Sequence, residues 1–311
     1  MNSFRKISVV VPCFNEEEGL KTFNETLLQF LPRNYDYEII YINDGSSDNT
    51  FQEIKALADY NPQIKYISFS RNFGHQNALK AGYDYASGDC AISLDADLQH
   101  PPAVIPELIA KWEQGFEIVN TIRHDHQSIS LAKKISSGLF YRIMKKLSDV
   151  NIENGMADFR LVDKKVLKEL KRFQENYLFF RGIIPWMGFK QTTVDFTASE
   201  RFAGTTKYTF RKMLKFATTG VTAFSVKPLR ISIYLGSVIA LLSFIYGLYA
   251  IYIHFFTNQA VAGWTSVIIS VLFVGGINLL MLGIIGEYLG KLFIENKRRP
   301  NYLISETNID A

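Results

Sequence analysis

Neither a Gly-x-Gly-x-x-Gly dinucleotide loop nor a Gly-Lys-Ser/Thr phosphate loop occurs in this chain of 311 residues, which removes the usual signatures of hydride transfer and of P-loop hydrolysis. Cysteine is scarce: Cys13 and Cys90 are the only two, both fall in predicted strands, and each reads as a buried, reduced thiol. His124 and His126 have no third ligand in view and read as solvated side chains. Repeats and low-complexity tracts are missing, and a secretory signal is not expected, because the apolar run 7–11 is short and Glu16-Glu17-Glu18 follows it. A net charge of +4 is too small to argue for nucleic acid.

The most telling absence is local. Lys, Arg and Asp are missing from 231–256 and from 264–289, two apolar runs of about 25 residues, each long enough to cross a bilayer. Arg211, Lys212, Lys215, Lys227 and Arg230 precede the first run, Lys291, Lys297, Arg298 and Arg299 follow the second, and the connecting loop has no basic residue. The positive-inside rule then predicts a multi-pass protein of the cytoplasmic membrane with both termini and the N-terminal domain in the cytoplasm. Just before the first run, Phe210, Met213, Leu214, Ala217, Val221 and Phe224 recur at helical spacing with Arg211, Lys212 and Lys215 off that stripe, which predicts an interfacial amphipathic helix. The expected organisation is a catalytic domain over 1–208, the interfacial helix and linker over 209–230, a two-helix transmembrane hairpin over 231–291 and a cytoplasmic tail over 292–311.

Within the first 230 residues, apolar β-rich runs at 7–13, 38–42, 64–69, 91–94 and 117–122 alternate with helical patterns, which predicts βα units and a mainly parallel α/β sheet. Helix starts are readable at Asp48-Asn49-Thr50 and at Pro101-Pro102. Such sheets bind ligands outside the carboxyl ends of their strands. Polar clusters stand at four of those ends: Pro12-Cys13-Phe14-Asn15-Glu16, Asn43-Asp44-Gly45-Ser46, Ser70-Arg71-Asn72-Phe73-Gly74 and Asp95-Ala96-Asp97-Leu98-Gln99. The last sets two carboxylates and an amide where a strand stops, with no Cys beside them. That oxygen-rich donor set suits a hard cation such as Mg²⁺ or Mn²⁺, with a nucleotide diphosphate completing its shell.

These clusters, taken with Arg201-x-x-Gly204-Thr-Thr-Lys207-Tyr208, resemble the inverting family-two glycosyltransferases, and more closely the polyprenyl-phosphate sugar transferases. That group includes dolichol-phosphate mannose synthases and bacterial enzymes that glucosylate undecaprenyl phosphate. The resemblance implies a glycosyltransferase-A fold in which Pro12, Asn15 or Glu16, Asp44 and Arg71 surround base and ribose and Asp95 faces the nucleotide. It implies further that Asp97 and Gln99 hold the metal and that Arg201 and Lys207 bring positive charge to the donor diphosphate or the lipid phosphate. Arg123, at the end of the fifth strand, is a candidate for either phosphate. Asp158, in Met156-Ala157-Asp158-Phe159-Arg160, matches an acidic position near the acceptor, where it would orient the nucleophile or take a proton; a helix cap or ion pair is the plainer alternative.

The implied reaction moves a sugar from a nucleotide diphosphate sugar to polyprenyl phosphate at a lipid surface. UDP-glucose is the favoured donor, and GDP-mannose is the alternative. A processive polysaccharide synthase fits less well, because the Gln-x-x-Arg-Trp acceptor motif is absent, and a silent membrane scaffold would not need the acidic and basic sets just named. Oligomeric state is left open, a homo-oligomer included.

Overall fold

The strands of the N-terminal region are nearly continuous apolar runs because helices cover them on both faces. In β1 (Lys6–Cys13) every residue after the first is buried. The computed structural model describes residues 5–124, 155–176, 178–197, 225–256 and 263–309. After β1 come α1 (Leu20–Phe30), β2 (Asp36–Asn43), α2 (Thr50–Tyr60), β3 (Ile64–Phe69), α3 (His75–Tyr85) and β4 (Cys90–Ser93). A 3₁₀ turn at Pro102–Val104 leads into α4 (Ile105–Glu113) and then β5 (Ile118–His124). β6 (Met156–Asp163), α5 (Lys164–Leu170), α6 (Phe180–Trp186) and β7 (Gln191–Thr197) complete the first part. The long helices α7 (Lys227–Phe256) and α8 (Trp264–Asn296) and a final strand β8 (Ile304–Thr307) follow.

One eight-stranded sheet results, in the order β7-β5-β6-β4-β1-β2-β3-β8. β4, β1, β2 and β3 are mutually parallel, as the βα alternation predicts. β6 departs from that pattern: it lies antiparallel between β4 and β5, while β5 pairs parallel with β7. Helix starts follow local chemistry. Asp48 Oδ1 accepts from the backbone N–H of Thr50 at 3.1 Å at the head of α2, and Asp163 Oδ1 accepts from Lys165 N–H at 2.8 Å at the head of α5. α3 sits close on the sheet because Gly82 leaves room there; a Cβ on it would stand 2.1 Å from Val10 Cγ1. Cys13 and Cys90 are both buried and unbridged.

α7 and α8 contain 30 and 33 residues, about 45 and 50 Å of helix. Both are long and apolar enough to cross a membrane, and their most apolar stretches, Leu229–Tyr249 and Phe273–Asn296, are exposed rather than packed in a core. Large hydrophobic residues along them stand exposed, Leu279 at 72% among them. Most of the expected interfacial helix lies outside the described residues. Within the expected C-terminal tail, 292–311, α8 continues to Asn296, and β8 then joins the sheet edge antiparallel to β3.

At the amino ends of the strands, away from the polar loops, Glu38 ties three segments together. It accepts from Lys6 Nζ at 2.8 Å, from the Ser8 hydroxyl and from the Ser87 backbone N–H at 2.8 Å. Burial alone would raise its pKa, but the Lys6, Ser8 and Ser87 bonds outweigh burial and hold the carboxyl below its ordinary value. A depressed carboxylate contributes stability that is complete above the unfolded pKa of about 4.3 and is lost as pH falls through the folded value. Glu38→Gln is therefore expected to cost about 1–3 kcal/mol at pH 7, with the difference from the parent shrinking toward zero below about pH 4, as read by chemical unfolding at a series of pH values.

Candidate active site

Four loops at the carboxyl ends of β1, β2, β3 and β4 enclose a cleft of about 310 Å³, lined among others by Pro12, Phe14, Glu16, Asp44, Asn72, His75, Asp95 and Asp97. Asp44 is buried beneath it. Its carboxylate accepts from Phe73 N–H at 2.7 Å and from Gly74 N–H at 2.9 Å, so the loop after β2 holds the loop after β3. Burial pushes the Asp44 carboxyl up, against the pull of those two amides. Gly45 is required beside it: its φ is +65°, and a Cβ would stand 2.4 Å from the Arg71 carbonyl carbon. Asn15, at φ 57°, locks the first loop to the second, with its Oδ1 accepting from Ser47 N–H at 2.9 Å and its own N–H donating to Ser46 Oγ at 3.0 Å.

The end of β4 is an acidic turn strained at Leu98, whose φ is 59°. Asp97 Oδ1 accepts from Gln99 N–H at 3.1 Å, closing the turn on itself. Behind it His100 is buried, stacked on Phe159 with centroids 5.4 Å apart, and its Nδ1 accepts from Asp95 N–H at 3.0 Å. Burial drives its pKa down despite the attraction of Asp95 and Asp97, so His100 is a neutral ring with its proton on Nε2. Its 3.5 Å approach to Asp95 Oδ2 is thus a packing contact. On the open side, His75 Nε2 stands 3.7 Å from Asp95 Oδ1 and 3.9 Å from Asp158 Oδ2, spanning the two acidic positions at the first turn of α3.

Asp158 caps no helix. It lies within β6, buried, with Oδ1 accepting from Arg160 Nη2 at 3.0 Å and Oδ2 from Arg181 Nη2 at 3.0 Å and Nε at 3.2 Å. Burial would raise its pKa, but the Arg181 and Arg160 guanidiniums override it and hold the carboxyl well below the usual carboxylate range. Such a carboxylate is a poor proton acceptor near neutral pH. Its geometry fits the plainer alternative, an ion pair, here made with Arg160 and Arg181.

The cleft brings together Pro12, Glu16, Asp44, Asp95 and Asp97. Arg71 is not among the lining residues; its guanidinium lies over the Phe73 ring, 3.9 Å from the centroid. Gln99 and Arg123 meet each other, Oε1 accepting from Nη1 at 3.0 Å, so the amide oxygen expected on a metal is turned toward the fifth strand. Arg201 and Lys207 lie outside the described residues. Sequence reasoning missed His75, His100 and Arg181. His75 directly follows a recognised polar loop and was within reach; Arg181 is 23 residues from Asp158 with no pattern joining them. His124 is exposed as expected but faces Asp195 at 2.9 Å.

Among the described residues no group of three or more Asp, Glu, His or Cys converges as a metal cage. The Asp95 and Asp97 pair still has the chemistry for a hard cation that takes one or two protein carboxylates and completes its shell from phosphate and water.

Residues 8–171 match glycosyl transferase family 2, and residues 227–292 match the GtrB C-terminal hairpin. The chain is 40% identical over 308 residues to the uncharacterized glycosyltransferase YkcC of Bacillus subtilis, covering 99% of this chain and 95% of that one. It is 43% identical over 300 residues to a prophage bactoprenol glucosyl transferase homolog of Escherichia coli, covering 96% and 98%. With the bactoprenol glucosyl transferase of Shigella phage SfV the identity is 42% over 300 residues, again 96% and 98% of the two chains.

Removing the Asp158 charge strands the fully buried Arg160. Asp158→Asn is expected to lower the stability of the domain by about 3–5 kcal/mol in chemical unfolding. A double-mutant cycle with Arg181→Gln should return a coupling of at least about 1 kcal/mol, and additive effects would deny the pairing.

Proposed function

The chain belongs to glycosyl transferase family 2, with its glycosyltransferase-A fold, and on that footing we propose that it transfers glucose from UDP-glucose to polyprenyl phosphate with inversion at the anomeric carbon. The observation that carries this reading is the coincidence on one chain of a two-carboxylate cleft at parallel strand ends with an exposed apolar two-helix hairpin. Relatives named for bactoprenol glucosyl transfer extend across both parts. The hairpin holds the domain at the lipid surface on its cytoplasmic side, where the acceptor's phosphate can leave the membrane while its tail stays in it.

In this reading Phe14, partly exposed in the cleft, offers a face to the base, and the loops organised by Asp44 and Asn15 hold the base and ribose. Asp97, with Asp95 beside it, would bind Mg²⁺ or Mn²⁺ together with the donor diphosphate, and the cation would supply charge neutralisation at the departing nucleotide. Gln99 would secure Arg123 to that acidic turn. Arg201 and Lys207, just ahead of the expected interfacial helix, are proposed to meet the donor diphosphate or the lipid phosphate.

The bond changes are few. An acceptor phosphate oxygen bonds to the anomeric carbon as the bond from that carbon to the UDP oxygen breaks, and the electron pair leaves with UDP. A phosphate monoester has its second pKa near about 6, so the nucleophile is already an anion in the cytoplasm and no side chain must take a proton. The locked Asp158 suits such a reaction: it fixes Arg181 and leaves proton transfer out of the step.

The test combines purified protein in detergent, undecaprenyl phosphate, Mg²⁺ or Mn²⁺, and radiolabelled UDP-glucose beside GDP-mannose and other nucleotide sugars, scoring label in the lipid phase. Transfer from UDP-glucose alone, reduced at least about 100-fold in Asp97→Ala, is the expected result. Transfer from GDP-mannose instead would change the donor, and no transfer from any donor would favour a silent scaffold. The rate should rise with pH through about pH 6, following acceptor ionisation, with no further limb from Asp158 at higher pH.

A further inference from the structure

The last strand of the chain reaches the same loop that shapes the cleft. Beyond α8, Tyr302 lies flat on Phe69, with centroids 5.1 Å apart and planes 17° from parallel, and its hydroxyl donates to Asp84 Oδ2 at 3.0 Å. Asp84 in turn pairs with the buried Lys80 on α3. The next residue, Leu303, accepts from Ser70 N–H at 3.0 Å, and Ser305 Oγ donates to the Ser68 carbonyl at 3.0 Å. β8 then continues along β3, its far end secured by Asn308, whose Oδ1 accepts from Tyr66 N–H at 2.7 Å.

Phe69 carries this contact inward. It meets Phe73 edge-on at 5.7 Å and 85°, and Phe73 is the residue whose N–H Asp44 accepts. The segment 70–75, which supplies Asn72, Gly74 and His75 to the cleft, is therefore braced from within by Asp44 and from outside by the tail. The outer brace is continuous in sequence with α8. A ring stack and a backbone hydrogen bond are of the size that shifts the equilibrium of a short surface loop.

We propose that Tyr302 is a positioning residue for donor binding: by stacking on Phe69 beside the Leu303 carbonyl that accepts from Ser70, it holds the 70–75 loop in the form that receives the nucleotide. This rests on the reading of the cleft as a nucleotide-sugar site. Tyr302 acts through Phe69 and Phe73 and touches no reacting atom.

The full chain in detergent, as the parent and as Tyr302→Ala and Tyr302→Phe, is examined by amide hydrogen exchange and by calorimetric titration with UDP and Mn²⁺. In Tyr302→Ala, exchange at 70–76 should quicken while β1 and β4 stay protected, and UDP binding should weaken about 5- to 50-fold, the usual range for coupling between sites. The donor KM should rise with it and the acceptor KM should change less than about twofold, whereas Tyr302→Phe, which keeps the ring, should stay within about twofold of the parent throughout. Unchanged exchange at 70–76, or quickened exchange with UDP binding intact, overturns the proposal. Should Tyr302→Ala fail to fold, Tyr302→Leu keeps the apolar cover without the ring and is read the same way. If the parent itself binds no UDP, the nucleotide-site reading falls and this positioning role falls with it, while the exchange data still decide whether the tail braces the loop.

Discussion

The cleft depends on one buried carboxylate. Asp44 stands where β2 ends and spends its oxygens on the backbone amides of Phe73 and Gly74, so the loop after β3 takes its shape from the loop after β2. The closeness this demands explains the glycine that follows: at Gly45 the chain passes so near the Arg71 backbone that a side chain would collide with it. It explains equally why His75 begins α3 at the mouth of the cleft, since Asp44 fixes the residue before it. Charge placed in a wall of backbone amides serves two ends, because the same carboxylate that orders the loop also sets the electrostatic floor of the pocket.

A second theme is that acidic groups here are divided by partner. Asp158 is surrounded by guanidiniums and kept anionic, whereas Asp95 and Asp97 sit together on an open turn where like charges invite a cation. The buried His100 adds no positive charge, since its ring accepts the Asp95 amide and stays neutral. The imbalance is local: Asp95 and Asp97 place negative charge on the open turn, while the guanidiniums of Arg160 and Arg181 are gathered on Asp158.

Much of this was legible beforehand because it depends on local rules. Strand ends, the helix starts at Thr50 and Pro102 and the apolar hairpin follow from periodicity, capping and length, and all are present. What was illegible depends on partners far apart in the chain. β6 has a central place in the sheet, yet Asp158 and Arg160 make it look unlike a buried strand, and their pairing with each other and with Arg181 is what lets both be buried. β8 is four residues of polar and apolar mixture that become a strand because the edge of β3 is open to receive them. The contact of Gln99 with Arg123 on a different strand had no local signal either.

The joining of β8 to β3 also bears on how the domain is held to its apolar hairpin. A domain joined to a helical hairpin by one connection alone would sample many orientations relative to it. Here the hairpin is followed by a strand that returns to the domain, so the chain is attached to the sheet on both sides of the hairpin. Glu295, in the last turn of α8, adds a contact of its own by accepting from the Asn176 backbone N–H at 3.0 Å, close in sequence to α6 and Arg181. Two returns from one helix restrict rotation about an axis that a single tether would leave free. The entropy lost in fixing the domain is then spent at folding rather than at each turnover, which is the condition under which a cleft built from backbone amides and fixed charges can act without rearranging.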